Sequence, residues 1–327
     1  MTAGENKPLL LITRRLPSAV ERALAGHFAV LPSRGDEATS TAELARALRE
    51  ADAVLCTVTD RFTAECFTGG PVRARVLANF GIGTNHIAVE AARAAGVVVT
   101  NTPDVLTEDT ADLAILLMLA VLRRGGEGER ELRAGTWTGW RPTHLLGTRF
   151  SGKTLGIIGL GRIGRAVAAR AQHGFGMKVL AWSRSATRSS GQGTRIEHVL
   201  TLGALLSASD VVSLHCPSTP QTHHLIGAAQ LAMMRPGAVL INTARGDVVD
   251  EAALVDALRA GRIAGAGLDV YEAEPLVHQG LLDRDDVVLF PHLGSATRET
   301  REAMGMRALT NLVAVFDGKE PPDRVIC

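Results

Sequence analysis

From Pro8 onward, short apolar runs alternate with stretches whose apolar positions recur at helical spacing: LLLIT then PSAVERALAGHF, AELARALREA then AVLCTV, RVLANF then VEAARAAG and VVVTN. This rhythm predicts parallel α/β structure, because parallel neighbours require a helical crossover between them. A second series begins at KTLGIIGLGRIG and continues through MKVLAW, DVVSLHC, AVLINTA, AGAGLDV and VVLF, with helix-like segments such as EAALVDALRAG between. Those six runs predict a sheet of dinucleotide-binding size. Between the two series, TEDTADLAILLMLAVLRR predicts an apolar helix joining two domains. Its apolar run is about ten residues, short of the roughly twenty a bilayer span needs, so it reads as a buried helix. The last helical pattern, TRETREAMGMRALTNLVAVF, has no new strand to feed and is expected to cross back to the first domain.

One turn in this pattern carries specific chemistry. Gly159, Gly161 and Gly164 form G-x-G-x-x-G between the strand TLGII and the helix RIGRAVAARAQ. The first glycine suits a tight turn, the second lets backbone approach a pyrophosphate, and the third lets helix and strand pack closely. Gly161, Arg162, Ile163 and Gly164 then sit at the helix N-terminus, where the backbone favours phosphate charge. About twenty residues on, an NAD-binding chain places Asp or Glu against the adenosine ribose. Here MKVLAW is followed by Ser183, Arg184 and Ser185. A missing carboxylate leaves room for a 2′-phosphate, and a guanidinium favours it through charge-assisted bonds. NADP(H) is therefore the expected cofactor, with NAD(H) as the alternative.

Polar residues collect where the later strands end. Arg245 follows AVLINTA, Asp269 follows GAGL with Glu272 and Glu274 beyond, and His292 follows VVLFP, ahead of Gly294 and Ser295. Ligands of open α/β sheets bind at such carboxyl ends. Nicotinamide chemistry on a carbonyl needs one group to hold and polarise the oxygen and another to supply a proton. Arg245, with its planar fork, suits the first role, and His292 suits the second. A carboxylate beside the imidazole would keep it protonated to nearer neutral pH, and the residues alone leave Glu272 and Glu274 both open for that position. His223 and His224 lack matching metal ligands and are expected to be solvated. Cys216, ending DVVSLHC, is expected to pack beside the cofactor.

Composition narrows the partners. The 327 residues suit two domains, and 35 Lys and Arg against 34 Asp and Glu give a net charge of +1. That balance offers no broad basic surface for nucleic acid, so a small molecule is the expected partner. The start lacks a secretory pattern, and four cysteines without regular spacing fit reduced thiols, so a cytoplasmic location is expected and no membrane or metal is called for.

The motifs KTLGIIGLGRIG, LINTARGDVVDEAAL, AGAGLDVYEAEP and FPHLGSAT together resemble the D-isomer-specific 2-hydroxyacid dehydrogenase family over essentially the whole chain. The resemblance implies an α/β fold of two Rossmann-like parallel-sheet domains, one flavodoxin-like and one dinucleotide-binding, with the active site in the cleft between them. It implies a discontinuous substrate-binding domain of residues 1–103 and 294–327 around a nucleotide-binding domain of residues 104–293. The implied catalytic set is Arg245, Glu274 and His292, the family spacing selecting Glu274 over Glu272. Asp269 is placed on the nicotinamide carboxamide side, Thr243 near the nicotinamide ribose, and Gly294 with the cofactor. The backbone amides of Ile82 and Gly83, in NFGIGTNHI, are implied to bind the substrate carboxylate.

Within the family, WSRS, GFGMKV and WTGWRPTHLLG are most similar to glyoxylate/hydroxypyruvate reductases, in which a tryptophan matching Trp140 enters the partner's pocket across a homodimer. The expected reaction is NADPH-linked reduction of a small 2-keto acid to a D-2-hydroxy acid. The alternatives are an NAD-dependent member acting on a bulkier 2-keto acid and a dinucleotide-sensing binding protein or corepressor. Formate dehydrogenases of similar pattern carry glutamine where Glu274 stands, and no regulatory domain is expected beyond PPDRVIC.

Overall fold

The first series of apolar runs forms five parallel strands, β1 (Leu9–Ile12), β2 (Ala29–Leu31), β3 (Ala53–Thr57), β4 (Val76–Phe80) and β5 (Val98–Thr100), ordered β2-β1-β3-β4-β5. The computed structural model describes residues 7–31, 35–37, 39–183 and 193–326. β3 and β4 lie in the middle of the sheet and are buried almost throughout, as continuous apolar parallel strands should be. β2 was not expected. Its three residues directly follow the helix Ser18–His27 and are half exposed at the sheet edge, so its pattern merges with the helical one.

The second series forms seven parallel strands, β6 (Thr154–Ile158), β7 (Lys178–Trp182), β8 (Ile196–His198), β9 (Val211–Leu214), β10 (Val239–Asn242), β11 (Gly265–Leu268) and β12 (Val287–Leu289). Their order is β12-β11-β10-β9-β6-β7-β8, so the chain reverses direction across the sheet between β6 and β9. Such a reversal opens a crevice at the carboxyl ends of the two strands. β8 is the seventh strand, beyond the six expected runs. It carries the polar sequence IEH on an exposed edge, with little apolar signal to mark it.

The chain folds into two compact units, Met1–Leu106 with Ala296–Cys327, and Thr107–Ser295. In the second, the helices Thr107–Leu122 and Arg162–Phe175 pack together on one sheet face, burying Leu117, Met118, Leu155, Ile157 and Val167 completely. Leu205, Leu231 and Leu254 of three further helices fill the other face. The apolar run at 113–122 is thus a core helix. Among the described residues, no helix is long and apolar enough to cross a membrane.

In the first unit, the final helix Arg298–Phe316 packs against β4 and the helix Ser18–His27. The Thr297 hydroxyl accepts from the Thr300 amide and caps its start. In the second unit, the helix Gly125–Arg133 buries none of its residues, and Leu132, Trp137, Trp140 and Leu146 are exposed around it, Trp140 to 82 %.

Candidate active site

The fingerprint turn owes its shape to its glycines. Gly159 has φ +95°, and a Cβ there would stand 2.6 Å from the Cys216 amide nitrogen, so only glycine lets β6 and β9 diverge this closely. A Cβ on Gly164 would press into the Gly159 carbonyl, while one on Gly161 would meet nothing within 4 Å. Gly161 therefore faces open space. It is also the N-cap of the helix Arg162–Phe175 and brings no capping side chain, so the helix start presents its backbone donors to a ligand. Thr243, just past β10, is 9 % exposed, and its hydroxyl has no partner among the described residues. A buried hydroxyl left open at a strand's carboxyl end suits the polar ribose region of a dinucleotide.

Cys216 is half-buried at the end of β9 beside Gly159. Ser183 directly follows β7, at the expected ribose-reading position. Arg184 and Ser185 lie outside the described residues.

Arg245, Asp269, Glu274 and His292 all follow strands of the second sheet at its carboxyl edge. The Asn242 side chain sets the Arg245 turn, its Nδ2 donating to the Arg245 carbonyl at 2.8 Å and its Oδ1 accepting from the Ala244 amide at 3.0 Å. Gly246 follows because any Cβ there would collide with the Tyr271 backbone. Burial pulls the Arg245 guanidinium below the ordinary arginine pKa, with the charges of Glu274 and Asp247 acting against it. An arginine remains charged under either influence.

His292 has φ +57°, a strained conformation for a residue with a side chain. Asp269 holds it there. The aspartate carbonyl accepts the His292 amide at 2.9 Å, and its carboxylate accepts the amides of Leu293 at 2.6 Å and Gly294 at 2.8 Å. Thr110 adds a bond to the Gly294 carbonyl at 2.9 Å. Burial raises the Asp269 pKa, against the two amides and the His292 charge. Asp269 is thus, first of all, the anchor of the histidine turn.

Glu274 Oε2 lies 2.9 Å from His292 Nδ1, so of the two carboxylates left open it is Glu274 that stands beside the imidazole. Burial alone would raise the Glu274 pKa, but the bond from His292, its charge, the Tyr271 amide and Arg245 outweigh it and hold the carboxyl below its usual range. With Nδ1 committed to Glu274, Nε2 is the ring nitrogen left to exchange a proton with a ligand. Glu272 has another partner, His224, at 2.6 Å between Nε2 and Oε1. The expectation of a solvated His224 is therefore corrected: it is half-buried and paired, while His223 stacks on it and is exposed. Glu272 also exchanges backbone-to-carboxylate bonds with Glu251, at 2.7 and 3.4 Å. Nothing in the T-P-Q-T-H-H run alone signals this clip.

Ile82 and Gly83 belong to the first unit, in the loop that follows β4. The carbonyls of this loop are held by Asn79, inside β4, and Asn101, just past β5, polar residues that were not singled out from sequence.

A family profile, D-isomer specific 2-hydroxyacid dehydrogenase, NAD binding domain, matches residues 115–294. The chain is 43% identical over 323 residues to a glyoxylate reductase of Thermococcus litoralis, covering 98% of this chain and 97% of that protein. It is 44% identical over 324 residues to a glyoxylate reductase of Pyrococcus horikoshii, with coverage of 98% and 96%. Among solved structures it is similar to an NADPH-dependent glyoxylate/hydroxypyruvate reductase from Sinorhizobium meliloti in complex with NADP and malonate, with TM-score 0.85, 37% identity and coverage of 98% and 97%.

Proposed function

The chain belongs to the D-isomer-specific 2-hydroxyacid dehydrogenases and is an NAD(P)-dependent oxidoreductase, and we propose that it is an NADPH-preferring reductase of a small 2-keto acid, glyoxylate or hydroxypyruvate. The observation that carries this reading is the His292–Glu274 pair beside the half-buried Arg245 charge, at the carboxyl edge of the nucleotide-binding sheet.

The open face at Gly161, the tight turn at Gly159 and the orphaned Thr243 hydroxyl fit a dinucleotide. When bound, the reduced nicotinamide supplies the hydride. Arg245 holds the keto oxygen and one carboxylate oxygen in its fork, which draws electron density from the carbon that is reduced. The amides of Ile82 and Gly83 take the substrate carboxylate. His292 Nε2 gives its proton to the keto oxygen, and Glu274 stabilises the imidazolium and fixes its orientation through Nδ1. Asp269 keeps the His292 turn in place.

Preference for NADPH rests on Ser183 in place of a ribose-binding carboxylate and on Arg184 next to it, a cation suited to a 2′-phosphate. A homodimer is part of the same proposal. The exposed apolar side chains at 132–146, Trp140 foremost, form a surface better covered than wet.

The test is NADPH and NADH oxidation measured with glyoxylate, hydroxypyruvate, pyruvate and phenylpyruvate. Highest kcat/KM with NADPH and one of the first two acids is the expected result. A preference for NADH with phenylpyruvate would replace this reading with a bulkier-substrate enzyme, and dinucleotide binding without any turnover would point to a sensor. Ser183→Asp should shift preference toward NADH through repulsion of the 2′-phosphate, and an unchanged ratio would contradict the selector role.

A further inference from the structure

The loop Gly81–Thr84 is bare of charge, yet its carbonyls are unusually well occupied. Asn79 Nδ2 donates to two of them, Gly81 at 3.0 Å and Gly83 at 2.9 Å, and Asn101 Nδ2 donates to the one between, Ile82, at 2.8 Å. The Thr102 amide adds a second bond to the Gly81 carbonyl at 3.0 Å.

In a trans peptide the carbonyl of one residue and the amide of the next point in opposite directions. Fixing three successive carbonyls therefore aims the amides of Ile82, Gly83 and Thr84 away from the asparagines. None of these three amides donates to a group among the described residues. Successive free amides of this kind make an anion-binding concavity without any cationic side chain.

Both asparagines are themselves held. Asn79 is fully buried, and its Oδ1 lies 3.2 Å from His86 Nε2, which keeps the Nδ2 edge on the loop. The Asn101 backbone is tied by its amide to the Asp323 carbonyl and by its carbonyl to Asn311 Nδ2, both at 3.2 Å. Asn311 is buried on the final helix and bonded to Asp323 in both directions, at 2.9 and 3.0 Å. The support of the loop thus reaches from β4 and β5 into the last helix and the residues after it.

We infer that Asn79 and Asn101 are positioning residues for substrate: their carboxamides clamp the Gly81, Ile82 and Gly83 carbonyls so that the following amides receive a monocarboxylate. The inference rests on the proposed role of Ile82 and Gly83 and deepens it by naming what orients them. Neither asparagine touches substrate, and neither takes part in proton or hydride transfer.

Asn79→Asp and Asn101→Asp keep side-chain shape but replace the donor by a carboxylate that repels the carbonyls. Steady-state kinetics with glyoxylate and NADPH, and calorimetric titration of the NADP+-loaded protein with oxamate, an unreactive monocarboxylate, provide the readouts. In each variant the glyoxylate KM and the oxamate Kd should rise about 10- to 100-fold, the range for a hydrogen bond to a charged group, while the NADPH KM stays within about twofold. Unchanged glyoxylate KM and oxamate Kd in a folded variant overturn the inference. So does a loss falling equally on the NADPH KM, which marks a merely structural role. Should Asn79→Asp fail to fold, Asn101→Asp decides on the same criteria. A wild-type protein inactive on both glyoxylate and hydroxypyruvate defeats the proposed function instead, and the oxamate titration still decides the clamp.

Discussion

The two sheets equip the carboxyl ends of their strands in opposite ways. The seven-stranded sheet presents ionisable side chains, Arg245, Asp269, Glu274 and His292, each bonded to a neighbour. The five-stranded sheet presents uncharged backbone, aimed by Asn79 and Asn101. Proton transfer and carbonyl polarisation require groups that carry or change charge, whereas gripping a carboxylate requires only donors at fixed angles. Under the proposed function, the contrast separates groups that act on the reacting carbon and oxygen from groups that hold the substrate still.

Substitutions can break or sharpen that division. Arg245→Ala should have the largest effect, at least ~10³-fold on kcat/KM, because in the proposed mechanism its guanidinium meets both the reacting oxygen and the carboxylate. A loss confined to KM would place Arg245 with the holding groups and dissolve the contrast. Glu274→Gln keeps the side-chain shape beside His292 but removes the charge that stabilises the imidazolium, and kcat should fall about 10²-fold. Rates measured at saturating glyoxylate check this, since a change in KM alone is the wrong sign of effect.

Glu272→Gln provides the internal control. It alters the neighbouring His224 pair, which is partly exposed, and kcat should fall no more than about twofold to fivefold. A loss matching that of Glu274→Gln would mean the whole 271–274 segment acts as one unit.

The smallest effect on turnover is expected at His215. It is half-buried, with Nε2 2.9 Å from the Ser213 hydroxyl, and desolvation lowers its pKa to about 4. The unfolded chain takes up this proton near pH 6.5 while the folded protein does so only near pH 4, so stability is complete above pH 6.5 and is lost as pH falls through that window. The loss is on the order of 3 kcal/mol. Urea unfolding at pH 7 and pH 5 should show a steeper decline for wild type than for His215→Gln. Parallel declines would remove His215 as the cause.

The same contrast explains what could be read from the chain. The G-x-G-x-x-G turn is local, and its three glycines are meaningful wherever a strand runs into a helix. Arg245 and His292 stand out because a charged or titratable residue ends an apolar strand. Glu272 and Glu274 differ by two residues on one loop, and only folding assigns the first to His224 and the second to His292. Asn79 and Asn101 work through carbonyls of a loop that composition marks only as glycine-rich, so their contribution has no pattern of its own. β2 and β8 escape for another reason: AVL runs on from the helical pattern before it, and IEH is polar and largely exposed, so neither stands out as an apolar run.

The most direct measurement is turnover by His292→Ala alongside its affinity for NADPH, read by nicotinamide fluorescence. A loss of at least ~10²-fold in kcat with NADPH affinity unchanged is the predicted result. Undiminished turnover would contradict His292 as the proton donor, and loss of NADPH binding in step with turnover would make it a cofactor-binding residue instead.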